Sequence, residues 1–364
     1  MNQATAFQKY LAPRHAYPVL YVHSEFMPFE ITTGQSNPDF LYRWSYLDGA
    51  RDYRIIGRKG TTRWTDFQVT NGFWGDERMN TMATFDLDHA ACGVDGTFEI
   101  TLSAREQPGS WLRLDADSGN NVLLVRETWC DWENETGVDM RIETVEPAPE
   151  EPVVYDEVEF NRRLLAAARY MDFSANFSIG TTRRILEGAG GTNRFFDLTR
   201  ANQADPARKR VGGASPSSQM HMMIYEFEPH QALIVEMKVP EARYWGLSLG
   251  DVWFATTDYS YHQSSLNDHQ ALVDPDGKVR MIFAFRDPGV PNWIDVVGSG
   301  FGLCILRRYL ATGDPVPVAR LVDMERLAEH LAEHLPADTP SVVPEERQQA
   351  LTRRRRASLR RYGF

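Results

Sequence analysis

The residues best suited to chemistry lie in two short stretches, YWGLSLGDVWFATTDYSYHQSSLN from Tyr244 to Asn267 and FRDPGVPNWID from Phe285 to Asp295. His262 is the one side chain in them that naturally titrates near neutrality, which suits it to take up and return a proton. Asp251, Asp258, Asp287 and Asp295 could orient its ring or share in acid–base work, and Arg286 could bind a carboxylate or steady developing negative charge. The expected catalytic set is His262, Arg286 and Asp287, with Asp251, Trp253, Asp258, Tyr259, Asn267, Asn292 and Trp293 contacting substrate. An architectural reading competes. Asp287-Pro288-Gly289 and Val290-Pro291-Asn292 have the residues of consecutive turns, and Trp245, Trp253 and Trp293 would fill a core.

Other stretches carry less. Gly188-Ala189-Gly190-Gly191-Thr192 lacks the Gly-Lys-Ser/Thr ending of a phosphate-binding loop and reads as a flexible loop; Gly298-Ser299-Gly300-Phe301-Gly302 reads as a glycine turn. His330 and His334 are one helical turn apart and could share a metal, but Leu327, Leu331 and Leu335 form the apolar stripe there, so no metal site is expected. Cys92, Cys130 and Cys304 are too few and dispersed for a disulfide framework and read as buried thiols. Arg126 shares a strand face with Val122 and Leu124, where a charge needs an acid partner or a ligand; a structural salt bridge is the favoured partner. The six arginines between Thr352 and Arg361 read as a solvated helix end, with attraction to an acidic partner, a phosphate ligand or another subunit as the alternatives.

The elements that must position these residues are mainly strands. Period-two alternation places Tyr53 with Ile55, and Phe98 with Ile100 and Leu102, on single faces, and the glycines of Leu47-Asp48-Gly49, Arg58-Lys59-Gly60 and Val94-Asp95-Gly96 supply tight turns. Residues 1–145 therefore read as a β-rich region. EPAPEEP, Glu146 to Pro152, is a linker by its proline and charge content. Asp156 to Leu186 predicts a helix broken near Phe173 that buries Leu164, Leu165, Ala168 and Met171, and Gly188 to Ser218 predicts loop with a short element at Phe195 and Phe196. A sandwich region follows over 219–311, where Leu233, Val235, Met237 and Val239 share one face and Val279, Met281, Phe283 and Phe285 another; a helical tail occupies 312–364, with helix dominant from Gly302 onward. Together these predict an antiparallel β-sandwich or jelly-roll with helical additions. No repeat appears at solenoid or propeller periods.

The chain has 364 residues, 42% apolar, enough for two cores. Its 39 basic against 50 acidic residues oppose broad phosphate-backbone binding, so nucleic acid is not an expected partner. Without a signal-peptide pattern or a bilayer-length apolar run, a cytoplasmic location and no membrane insertion are expected.

Tyr244-Trp245, Gly250-Asp251-Val252-Trp253, Tyr259 through Ser264-Ser265-Leu266-Asn267, and Arg286 through Trp293 together resemble the bacterial family catalogued as domain of unknown function 1214. Asn37 to Thr61, NPDFLYRWSYLDGARDYRIIGRKGT, resembles the β-rich leader found with many of its members. The resemblance implies a sandwich or jelly-roll core with helical additions and transfers no catalytic role. The functional expectation is a hydrolase or lyase, using no cofactor, that acts on a small hydroxylated or carbonyl-bearing substrate through His262, with Arg286 or Asn292 on an oxygen. The alternative is a non-catalytic protein binding carbohydrate or another small ligand; a homo-oligomer joined by the Tyr244 to Asp295 loops and the basic tail is a third reading.

Overall fold

The computed structural model describes residues 18–23, 34–147, 156–204, 215, 217–313, 315–332 and 341–363. Among the described residues, eighteen strands form four sheets. The first half of the chain holds β1 (Tyr21–His23), β2 (Phe40–Leu47), β3 (Tyr53–Arg58), β4 (Trp64–Thr70), β5 (Thr81–Asp86), β6 (Thr97–Ser103), β7 (Trp111–Arg113), β8 (Asn121–Thr128) and β9 (Asp139–Thr144). The second holds β10 (Phe196–Asp197), β11 (Ser218–Glu226), β12 (Gln231–Lys238), β13 (Tyr244–Gly250), β14 (Ser265–Asn267), β15 (Lys278–Ala284), β16 (Trp293–Asp295), β17 (Phe301–Tyr309) and β18 (Val318–Asp323). The five-stranded sheet β1-β2-β8-β4-β5 packs on β7-β6-β3-β9, and β10-β11-β17-β13-β14 packs on β16-β15-β12-β18. The expected alternation sets fill these two cores, one with Tyr53, Ile55, Phe98, Ile100 and Leu102, the other with Leu233, Val235, Met237, Val279, Met281 and Phe283.

The second strand order is the first repeated strand for strand, including the one parallel pair in each sandwich, β6 with β7 and β15 with β16. Among the described residues the two sandwiches therefore share one topology. Side chains have diverged almost everywhere: Trp64 opposite Thr128 corresponds to Tyr244 opposite Tyr309. One device survives in both halves. Trp111 opens β7 and donates its indole N–H to the carbonyl of Ser103, the last residue of β6, at 3.0 Å. Trp293 opens β16 and does the same to Ala284, the last residue of β15, at 3.1 Å. Trp293 is accordingly a strand-pairing residue, and its buried ring belongs to the core.

The two five-stranded sheets meet directly through Phe40, Trp64, Tyr244 and Tyr309. In the same sheet face Arg126 is buried and satisfied structurally, by Asp66 at 3.0 Å and Gln68 at 2.7 Å. Helix α1 (Glu157–Ala189) packs on both sheets, its first half on Trp44, Phe73 and Val122, its second on Met222, Leu303 and Ile305. Two expectations fail here. The helix is continuous through Phe173, and Leu164, Leu165 and Ala168 face outward while Ala166, Ala167, Tyr170, Ser174, Ser178 and Ile185 are buried. Small residues win the inner face because Tyr170 lies flat against Phe73 and Trp74, which requires close approach of the helix.

The Gly190 stretch is an ordered helix end, with Gly190 left-handed and Gly191 N–H donating to Leu186 C=O at 2.9 Å. The element expected at Phe195 and Phe196 is β10, followed by α2 (Leu198–Gln203). The linker lies from residue 148 to its end outside the described residues, as does His334. Beyond Gly302, where helix was expected, the chain first runs through β17 and β18 and only then forms α3 (Leu327–Ala332) and α4 (Pro344–Arg361). Cys130 and Cys304 are buried, but Cys92 is exposed. Among the described residues no helix is long and apolar enough to cross a membrane, and no acid, His and Cys cluster could hold a metal.

Candidate functional site

The β13–β14 connection, 251–264, is longer than its counterpart in the first sandwich, 71–80, and carries most of the expected residues. It does not hold them together. At its start, Asp251 accepts from the backbone N–H groups of Trp253 and Ala255, both at 2.9 Å, and so closes a turn. Trp253 is 49% exposed, and its carbonyl accepts from Ser178 of α1 at 3.3 Å. Asp258 likewise accepts from Ser260 and Tyr261 N–H, at 2.9 and 3.0 Å. Tyr259 is buried against Trp132, with its hydroxyl 3.2 Å from that of Tyr362.

His262 and Asp295 do meet: Nδ1 lies 2.8 Å from Asp295 Oδ2, while Asp295 Oδ1 accepts from Val297 N–H at 2.8 Å. Asp295 ends β16, at the register position that Arg113 fills in the first sandwich, so the pair is particular to the second half. Gln263 ties the two loops by donating to the carbonyls of Trp293 and Pro291, at 2.6 and 3.3 Å. Arg286 is exposed and stands apart from any ion pair among the described residues. Asp287 is engaged elsewhere, by Arg347 Nε at 2.8 Å, and the expected triplet of His262, Arg286 and Asp287 therefore does not form a hydrogen-bonded set. Asn292 clamps Leu272 through both backbone groups, at 2.7 and 2.8 Å, which uses its amide for a turn. A cleft beside it is lined by Asp274, Arg280 and Asn292, but Arg280 already holds Asp274 at 2.6 Å and Asp276 at 2.7 Å.

The composition of helix α4 predicts a solvated end; the structure instead inserts three of its arginines. Arg347, Arg354 and Arg361 recur every seven residues and so share one face. Arg347 bridges Asp287, Gln263 (3.1 Å) and the Val290 carbonyl (2.6 Å), and lies over Trp293. Arg354 donates to the Tyr259 carbonyl and Ser265 hydroxyl, both at 2.5 Å. Arg361 donates to the Pro38 carbonyl at 2.8 Å and stacks 3.9 Å from the Trp132 ring centre. The tail and the loops thus meet within one chain. The seven-residue phase was visible in the sequence; a count of charges hid it.

The deepest polar centre was not anticipated. Asp39, 1% exposed, accepts from Tyr244 Oη (2.6 Å), Asn267 Nδ2 (2.7 Å) and Trp132 Nε1 (2.8 Å), and Asn37 Nδ2 donates to Tyr244 Oη at 2.9 Å. Gly246 allows this, because a Cβ there would lie 2.0 Å from Tyr244 Oη. Burial pushes the Asp39 carboxyl up, while Tyr244, Asn267, Arg361 and Arg354 pull it back. Burial, then the Asp39 charge, holds the Tyr244 phenol well above its ordinary range, so it remains a donor. Burial and Arg361 lower Arg354 to about 10, with Asp39 opposing. The Asn37–Asp39 segment and the Tyr244 to Asn267 stretch are joined at this node. Its full burial fits a structural joint between the sandwiches.

The loop after β8 completes the joint, with Trp129 N–H donating to the Asp39 carbonyl at 2.7 Å and Glu135 accepting from Cys130 N–H at 2.7 Å. Burial raises Glu135 from 4.5 to about 7. The folded state then prefers the protonated carboxyl, a contribution complete below pH 4.5 and lost as pH rises through 7. Urea denaturation at pH 5 and pH 8 should show the native protein losing stability with rising pH relative to Glu135→Gln; parallel behaviour of the two would contradict the assignment.

Residues 228–312 match the family model described as protein of unknown function (DUF1214). A solved structure of an uncharacterized protein from Burkholderia cenocepacia is similar over 90% of this chain and 88% of that one, at 25% identity and a TM-score of 0.79. The VPA0106 protein from Vibrio parahaemolyticus gives a TM-score of 0.48 at 12% identity, over 88% and 96% of the two chains. No curated protein matches the chain. The matched segment contains Tyr244, Asn267, His262 and Asp295, so the likeness to the DUF1214 family model is carried by the second sandwich.

Proposed function

We propose that the protein is a hydrolase in which His262, without a cofactor, serves as general base toward water attacking a small carbonyl-bearing substrate. The 2.8 Å contact of His262 Nδ1 with Asp295 carries this reading. A carboxylate that accepts from Nδ1–H leaves the Nε2 lone pair to take a proton. As the water oxygen bonds to the carbonyl carbon, His262 takes the water proton and then delivers it to the departing group as its bond breaks. The His262 side chain is 39% exposed, so solvent reaches the ring. That access suits hydrolysis better than the lyase alternative, whose intermediates need protection from water. Arg286, exposed on the adjoining loop, supplies a cation for the developing oxyanion.

The test is hydrolysis of a panel of esters, lactones and amides by the purified protein and by His262→Gln. Turnover by the native protein that falls to background in a folded variant is expected; full turnover by His262→Gln would sink the assignment. The half-exposed ring of Trp253, whose carbonyl accepts from Ser178 of α1, favours a second reading, carbohydrate or small-ligand binding without catalysis. Saturable fluorescence quenching by a glycan, abolished in Trp253→Ala and with no turnover of the panel, would establish it.

A further inference from the structure

The geometry points to an anionic group on the substrate, a carboxylate or a phosphate, received by Arg355, which lies over the ring of Tyr261, the residue before His262; this inference rests on the His262 reading. Helix α4 carries seven arginines against two glutamates in a chain of net charge -11, so it concentrates positive charge on an otherwise repelling surface. Most of that charge is already engaged. Arg347, Arg354 and Arg361 are inserted among the loops. Arg360 holds the Trp132 and Glu135 carbonyls at 2.7 and 2.8 Å, and Arg353 faces Glu133 at 3.8 Å.

Arg355 differs. Its guanidinium lies 4.4 Å from the centre of the Tyr261 ring, and it forms no ion pair among the described residues. Tyr261 is 51% exposed, and its backbone N–H is fixed by Asp258 at 3.0 Å. A guanidinium placed over an aromatic face through its central carbon can leave N–H groups free to receive a carboxylate or phosphate through paired hydrogen bonds. Tyr261 directly precedes His262, so the residue that carries the cation and the one that carries the base are consecutive on the turn held by Asp258. Arg355 is a recognition residue in this scheme and takes no part in proton transfer.

The experiment follows the His262 imidazole resonances by NMR at low ionic strength as sodium acetate or inorganic phosphate is added, with His262→Gln providing the assignment. A saturable shift is expected, with affinity at least tenfold weaker in Arg355→Gln and intermediate in Arg355→Lys. Arg356→Gln, an exposed neighbour also without an ion pair among the described residues, should leave it unchanged. A response to acetate alone identifies a carboxylate, and one to phosphate alone a phosphate. Unsaturable shifts, equal affinity in Arg355→Gln, or equal weakening by Arg356→Gln would overturn the inference, the last by revealing a diffuse field. Because isolated anions are the probe, the result is independent of whether His262→Gln still turns over a substrate.

Discussion

Asp39→Ala is expected to lower the unfolding free energy by about 3–5 kcal/mol, the usual cost of removing one member of a buried charged group. The side chain is 1% exposed and accepts three hydrogen bonds, from Tyr244, Asn267 and Trp132. Alanine leaves the Trp132 indole N–H facing a void and removes the negative charge that compensates Arg354 and Arg361, both of which sit within 4.4 Å of the Trp132 ring centre. Asp39→Asn should cost less, about 1–3 kcal/mol, since its one oxygen still accepts while Tyr244 can turn to receive from the amide. The node also joins the sandwiches: Asp39 precedes β2, Tyr244 and Asn267 belong to β13 and β14, and Arg361 ends α4. Urea unfolding of Asp39→Ala should therefore separate into two transitions, one for each sandwich. A single transition displaced by less than 1 kcal/mol would show that the node is not the joint.

Much of the architecture was legible in the sequence because it rests on local rules. Alternation at Phe98, Ile100 and Leu102 or at Val279, Met281 and Phe283 marks one buried face, and that face is in the core in both sandwiches. The shared topology was not legible, because packing accepts Trp64 in one half and Tyr244 at the corresponding place in the other, while Trp111 and Trp293 match because each donates its indole N–H to the carbonyl that ends the preceding strand. The α1 stripe was misread for a related reason: Leu164 and Leu165 outrank Ala166 and Ala167 in apolarity, but the close-packed Tyr170 ring selects for small size. In the candidate site, Asp295 could be nominated as a partner of His262 but not ranked above Asp287, because strand register and not sequence distance decides which acid reaches the ring. Asp39 escaped because its partners Tyr244 and Asn267 lie more than two hundred residues away along the chain and only the fold brings them over it.

Under the general-base role proposed for His262, Asp295→Asn is expected to reduce turnover by about 10²–10⁴-fold with little change in KM, the loss typical of disabling such a base. The reason lies in the two fixed demands on this side chain. Val297 N–H can only donate and points at Oδ1, while Oδ2 receives His262 Nδ1. A carboxylate meets both demands, but asparagine has one oxygen. That oxygen is claimed by the backbone N–H, which cannot reorient, so the amide NH2 turns toward the imidazole. Nδ1 must then accept, the ring proton moves to Nε2, and the atom needed as base becomes a donor. The ring stays in place, which is why binding is spared while proton transfer fails. Nitrogen NMR of the imidazole gives an independent reading: protonation at Nδ1 in the native protein and at Nε2 in the variant. A variant that shifts its proton to Nε2 yet hydrolyses at the native rate would remove His262 from the chemistry, and one that keeps the proton on Nδ1 would show that Val297 does not control the dyad.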